Sequence, residues 1–245
     1  MPAEHELWLT ALLNKLIGGP LALLLIKLGF HPDTGHPIPN QIAMELLVIA
    51  LILIGALILR PRLSVENPGE FQQMMEVVVE FTENMTDEMI GPGGRRYVTL
   101  IGTLGIFVAL CNLLGLIPTL GTATASIDVT LGCALVCFLY YNYHGFRQHG
   151  IVGYLKHLCG PMMAIAVLMF PIEVFSNAFR LLSLSVRLWA NMLVGDLLEG
   201  IFTGLIPIVV PALFMALHIF VSLLQAYVFM ILPAVYISMA VEEEH

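Results

Sequence analysis

Charge is scarce in this sequence. Asp, Glu, Lys and Arg make up 11% of its 245 residues, less than half of the roughly 25% usual in soluble domains. With 58% hydrophobic residues and a mean hydropathy of +0.90, that deficit excludes an ordinary soluble domain and marks an integral membrane protein. Basic residues are scarcest, 10 against 18 acidic ones, and the net charge of −8 argues against binding nucleic acid. The strict alternation of a membrane barrel is missing, and an open sheet would leave its edges unpaired in lipid, so an all-α fold remains. No CxxC spacing occurs. Cys111, Cys133, Cys137 and Cys159 lie within or beside apolar segments and read as small buried hydrophobes. No metal site and no cofactor is expected. The start, "MPAEHELWLTALLNKLIGG", has two glutamates where a secretory signal carries positive charge and no small-residue cleavage pattern. It is expected to stay on the mature chain.

What the chain has in abundance is long uncharged runs. No Asp, Glu, Lys or Arg occurs between Gly200 and Ala240, and 98–117 is likewise uncharged, each long enough for the roughly 20 residues of a membrane helix. Residues 7–30 are apolar but interrupted by Lys15, Gly18-Gly19-Pro20 and Lys27, which suits an interfacial helix or short hairpin. A first span is predicted over 41–59, a second over 98–117, a third over 127–143, and at least two longer helices over 162–240 with a break between Gly200 and Pro211. That makes five to six membrane helices. Between the first two spans, Asn67 reads as a helix N-cap with Pro68 at the first helical position. In the helix that follows, Phe71, Met74, Met75, Val78, Met85 and Met89 share one face and Glu76, Glu80, Glu83 and Asp87 the other, as in a helix lying on the membrane surface. "YYNYHGFRQHG" after the third span reads as interfacial aromatics leading into a basic, histidine-containing loop. Four regions result: an N-terminal interfacial segment (1–40), the first span with the surface helix (41–95), the second and third spans (96–160), and a C-terminal helix hairpin (161–245).

Arg60, Arg62, Arg95, Arg96, Arg147 and Lys156 fall in loops that three alternating spans place on one side, against Lys15 and Lys27 on the other. The positive-inside rule makes the six-residue side cytoplasmic, so the N-terminus is expected outside and the acidic end "VEEEH" inside. A bacterial plasma (inner) membrane is the expected location, with an organelle inner or thylakoid membrane as the alternative.

Arg180 and Arg187 remain, in "SNAFRLLSLSVRLWANMLVGDLLEG" (176–200). An arginine at the bilayer centre costs about 2.5 to 3.5 kcal/mol on insertion scales, so it normally faces a partner, a cavity or a pathway. Glu173, Arg180 and Arg187 are spaced by sevens and fall on nearly one line, flanked by Ser176, Asn177, Ser183 and Asn191. Asp196 projects about 180° from that stripe, and Glu199 is also off it. In the next helix His218, Ser222 and Gln225 share a face to which Tyr236 returns. An antiparallel hairpin would bring Asp196 and Glu199 towards His218, an acid and imidazole cluster on the outer side, with Glu173 marking an inner polar region. Such an arrangement suits proton or ion passage. Plainer readings compete. Arg180 pairs with Glu173 or Asn177 in a satisfied helix, His218 is structural, and Ser183 and Ser185 bond back to helix carbonyls. For Arg187 no acid stands three or four residues away on its own helix.

At "LSLSVRLWANMLVGDLL" the chain resembles subunit a of the F-type ATP synthase membrane sector. The likeness extends over "CNLLGLIPT" (111–119), "IDVTLGCAL" (127–135), "FPIEVFSNAFRLLSLSVRLWANM" (170–192) and "LLQAYVFMILPAVYISMAVEEEH" (223–245). It implies a non-catalytic proton-translocating stator, with two aqueous half-channels at the interface with a ring of c subunits. Ion flow through them drives rotation and ATP synthesis. It also implies peripheral-stalk b subunits, the rest of the complex and membrane lipid as partners, and a last helix pair steeply tilted around the ring. Arg187 matches the essential arginine that faces the ring carboxylate. Asn191, Asp196, His218 and Gln225 match positions near the ring or the outer half-channel, and Glu173 the inner one. Ser176, Asn177, Arg180, Glu199 and Tyr236 complete the candidate pathway. The resemblance departs at "LWAN", where many relatives have Phe-Gly before the asparagine, and at Asp196, shorter than the usual glutamate. The alternative is a self-contained ion-coupled transporter, which would show an internal repeat; no such symmetry is seen.

Overall fold

In the computed structural model, which describes residues 8–18, 38–91, 93–117, 120–159, 166–205 and 209–241, every long apolar run is a helix. The helices are α1 (Trp8–Leu13, continued by a π turn Asn14–Gly18), α2 (Asn40–Leu59), α3 (Glu70–Ile90), α4 (Val98–Gly115), α5 (Ile127–Cys159), α6 (Ala166–Leu205) and α7 (Val209–Val241). Among the described residues four helical segments are long and apolar enough to cross a membrane: Asn40–Arg62, Val98–Gly115, Leu168–Phe202 and Ala212–Val241. The predicted third span is helical too, but Asp128 and the polar end at 140–144 leave it less apolar than those four. The predicted break between Gly200 and Pro211 falls partly outside the described residues; α6 is helical to Leu205 and α7 is helical from Val209. Of the 7–30 segment only the part up to Gly18 is among the described residues. There the Asn14 side-chain amide accepts from the Ile38 N–H at 3.0 Å and donates to its carbonyl at 3.3 Å, tying the N-terminal helix to the foot of α2.

Two local expectations are corrected. Asn67 caps no helix: α3 begins at Glu70, and its N-cap is Gly69, still extended at φ −69°, ψ 159°. The reason is the Gln72 amide, which clamps Ser64 by accepting from its N–H at 3.1 Å and donating to its carbonyl at 2.9 Å. The chain is thereby held in a bend at 65–67 ahead of Pro68, a competing use of side-chain polarity next to a helix start. Second, "YYNYHGFRQHG" is helix rather than loop, because α5 runs on to a kink at Gly150 (φ 69°, ψ 168°). Asn142 donates back to the Phe138 carbonyl at 2.7 Å, and Tyr154 returns beyond the kink to donate to the Asn142 side-chain Oδ1 at 2.9 Å. The apolar face expected on α3 is also divided. Met85 is buried with Gln72, Thr82 and Thr86 where α3 packs on α4 and α7, whereas Phe71 and Met74 point outward.

The core lies where α4, α5, α6 and α7 meet. Leu184, Leu188 and Met192 of α6 pack against Phe229 and Ala226 of α7, Leu104 and Val108 of α4, and Cys133 and Cys137 of α5. The described cysteines Cys111, Cys133 and Cys137 are all buried and free, as expected; the Cys159 side chain lies outside the described residues. In lipid, helices associate by packing and a few interhelical hydrogen bonds rather than by the hydrophobic effect. Such contacts lie buried between α5 and α6 and between α4 and α7. The Thr130 and Ser185 hydroxyls meet at 3.2 Å across α5 and α6, so Ser185 bonds a neighbouring helix instead of only its own carbonyls. Asn112 on α4 accepts from Thr124 at 2.7 Å and donates to the Ser222 carbonyl on α7 at 3.4 Å.

Candidate functional site

Ser185 is locked inward, and Arg187, two residues and about 200° further round α6, therefore faces out. It is exposed, with Leu182, Val186 and Val194 exposed around it. Among the described residues it has no hydrogen bond and no ion pair. A guanidinium in the middle of a membrane helix, surrounded by leucine and valine and lacking an internal counter-ion among the described residues, is costly to leave unpaired. Beside it Asn191, also exposed, donates its amide to the Gln225 carbonyl oxygen on α7 at 2.9 Å, while the Gln225 amide nitrogen has no partner among the described residues.

Two polar clusters lie on either side of Arg187 along α6. Towards the N-terminal end Arg180 pairs with Glu173 at 3.5 Å and donates to the Asn177 side-chain oxygen at 3.3 Å. Its guanidinium lies 5.5 Å from the Tyr236 ring centroid of α7, within cation–π range. Tyr141 of α5 donates to the same Asn177 oxygen at 3.3 Å. The satisfied reading of Arg180 is thus borne out, and Glu173, Asn177, Arg180 and Tyr236 form one group. Ser176 is half-buried next to it.

Towards the C-terminal end Asp196 and Glu199, both half-buried, share a region with the buried His218. The expected approach to His218 is realised for Asp196, but the contacts differ from the simple pair the periodicity implies. Asp196 accepts a hydrogen bond from Thr122, in the turn before α5, at 3.0 Å. The His218 imidazole lies against Gly195: a Cβ there would fall 2.5 Å from Nε2 and 2.6 Å from Cε1. Neither ring nitrogen has a hydrogen-bond partner among the described residues. A cavity of about 400 Å³ opens next to Asp196, with Asn40 and Gln41 at the foot of α2, Thr122 and Ser126 among its walls. His218, Ser222 and Gln225 share the buried face of α7, as their spacing predicts.

Thr122, Gly195 and Tyr141 are site residues that sequence reasoning missed. Gly195 carries a signal, because a glycine inside a helix costs about 1 kcal/mol against alanine and calls for a packing reason. Thr122 and Tyr141 carry none, since their partners lie 74 and 36 residues away. At the opposite end of the molecule, beyond the predicted third span, Tyr97, Tyr140 and Tyr143 surround His144 with ring centroids at 5.0, 4.5 and 5.4 Å. Burial there, reinforced by Arg147 and Arg96, holds its pKa below the ordinary histidine value. No group of three or more His, Cys, Asp or Glu side chains fit to hold a metal occurs among the described residues.

Residues 42–238 match the family described as ATP synthase A chain. The chain is 43% identical over 242 residues to the ATP synthase subunit a of Koribacter versatilis, covering 98% of this chain and 99% of that one. It is 43% identical over 217 residues to the subunit a of Solibacter usitatus (89% and 93% covered), and 37% over 199 residues to that of a Sulfurihydrogenibium species (81% and 94%). A long uncompensated arginine helix, its polar partner helix and near full-length likeness agree: this multi-pass membrane protein belongs to the ATP synthase A chain family.

Proposed function

We propose that the chain is the proton-conducting stator of an F-type ATP synthase, with Arg187 as the fixed cation that separates two dead-end proton passages. The observation that carries this reading is the outward, unpartnered guanidinium on an apolar membrane face. Desolvating a cation in this way is costly, and the cost is offset when an ionised carboxylate on a neighbouring subunit comes alongside. The partner would be a ring of c subunits, each presenting a membrane acid. A permanently charged guanidinium favours the ionised form of that acid and repels a proton that would otherwise pass straight across. The Asp196, Glu199 and His218 cluster with its cavity is assigned to the outer passage, and the Glu173, Asn177, Arg180 and Tyr236 cluster to the inner one. Asn191 and Gln225 stand beside the ring. On this reading the N-terminus is outside, the C-terminus is cytoplasmic in a bacterial plasma membrane, and peripheral-stalk b subunits hold the stator.

A self-contained transporter would enclose its charged site between its own helices, whereas Arg187 faces away from them. Arg187→Ala tests the reading. ATP-driven proton pumping by inverted membrane vesicles should be lost while the complex still assembles. Pumping at the wild-type rate would reject the stator role.

A further inference from the structure

The Thr122 hydroxyl has one hydrogen and two acceptors within reach. Its Oγ1 lies 3.0 Å from Asp196 Oδ1 and 3.4 Å from the Gly115 carbonyl oxygen at the end of α4. A hydroxyl donates once and accepts through two lone pairs, so it cannot serve both acceptors as donor at the same time. We propose that Thr122 is a positioning residue for Asp196, its hydrogen turning between the Asp196 carboxylate and the Gly115 carbonyl as Asp196 loses and gains a proton. This rests on the reading above that Asp196 stands in the outer proton passage.

The two states are complementary. With Asp196 ionised, the hydroxyl donates to Oδ1 in a charge-assisted bond. When a proton from water in the adjoining cavity binds Oδ1, the new O–H donates to Thr122 Oγ1, and the threonine hydrogen swings to the Gly115 carbonyl. The proton leaves by the reverse motion. No bond to the threonine hydrogen is broken and no heavy atom has to move. In both states the half-buried carboxyl and hydroxyl keep a partner, so neither incurs the desolvation cost of an unpaired buried group. Gly115 is part of the device. A Cβ at that position would fall 2.5 Å from Thr122 Oγ1, 2.8 Å from Cγ2 and 2.9 Å from Cα, and a side chain there would expel the hydroxyl from its place between the two acceptors. The other groups bearing on Asp196 are His218 from α7 and Glu199 from its own helix, with Asn40, Gln41 and Ser126 across the cavity. Unlike the two titratable ones, the Thr122 hydroxyl adapts to either charge state of Asp196 without changing its own.

The test compares Thr122→Val, which keeps the shape and removes the hydroxyl, with Thr122→Ser, which keeps the hydroxyl, in membranes bearing the whole complex. Thr122→Ala is the second apolar variant, and rates of ATP-driven pumping and of passive proton conduction are expressed per assembled complex. Both apolar variants should fall by roughly tenfold, the scale of one lost hydrogen bond to a charged group, and Thr122→Ser should recover most of the lost rate. Wild-type rates in the apolar variants, or a serine variant as slow as the valine one, would overturn the proposal. Arg187→Ala measured alongside separates the two levels. If it abolishes pumping while Thr122→Val pumps normally, only the role of Thr122 falls; if Arg187→Ala pumps normally, the underlying reading falls first.

Discussion

A methyl group at position 195 has nowhere to go, because the His218 imidazole occupies its place. Gly195→Ala is therefore expected to displace the ring beside Asp196 and lower proton pumping by roughly tenfold or more, as small misplacements of a functional group do. Helix propensity pulls the other way, since alanine in a helix interior is favoured by about 1 kcal/mol. The variant chain should then be no less abundant in membranes than the wild type, and quantifying it by immunoblot together with pumping checks both halves. Equal pumping would mean that the position of His218 is irrelevant to conduction. At this scale the site was only partly legible in the sequence. Arg187 stands out because a lone intramembrane cation has a known cost, and the approach of Asp196 to His218 follows from helical spacing. The Thr122 contact does not follow, because it joins a turn to a helix 74 residues away, and periodicity speaks only within one helix.

Along α6 the inward residues Leu184, Ser185, Leu188 and Met192 fall on one face and are all buried, whereas Leu182, Val186, Val194 and Leu197 are exposed. Apart from Ser185 both sets are apolar, so hydrophobicity does not distinguish the core face from the outer one. What does is the Ser185–Thr130 contact, a polar pair that in lipid must find its partner inside the protein. Leu188 is fully buried and Leu197 is 56% exposed. Leu188→Ala should lower the stability of the detergent-solubilised chain by about 2 kcal/mol or more through the cavity it leaves, and Leu197→Ala by less than about 0.5 kcal/mol. Thermal unfolding of the two variants side by side reads the difference; equal losses would contradict the assigned rotation of α6 and with it the outward direction of Arg187. The same logic explains which elements were legible. The spans over 41–59 and 98–117 announce themselves by length and composition. The continuation of α5 through 144–150 is hidden, because its polar side chains look like loop and the contact that folds Tyr154 back onto Asn142 across the kink is not visible in the sequence.

For the whole molecule, the question is what lies against its exposed apolar surface. Most of that surface would meet lipid at no cost, including Leu57 of α2 at 68% exposure. The strip of α6 around Arg187 differs, since its cation makes lipid a poor neighbour and a protein acid a good one. The stator reading therefore predicts a sharp asymmetry between two exposed membrane surfaces. A cysteine placed at Val194, 51% exposed and about one turn beyond Asn191, should form a disulfide with a cysteine in the ring subunit's outer helix under mild oxidation of membranes, and one at Leu57 should not. The described native cysteines are buried, which keeps their contribution to the background low. Cross-linking from both positions, or from Leu57 alone, would place the ring on the wrong side of the molecule. Rotation adds a further condition: because a stator meets each ring subunit in turn, the Val194 cross-link should stop ATP-driven pumping in proportion to its yield, and reduction of the disulfide should restore it. A static neighbour would cross-link without that loss.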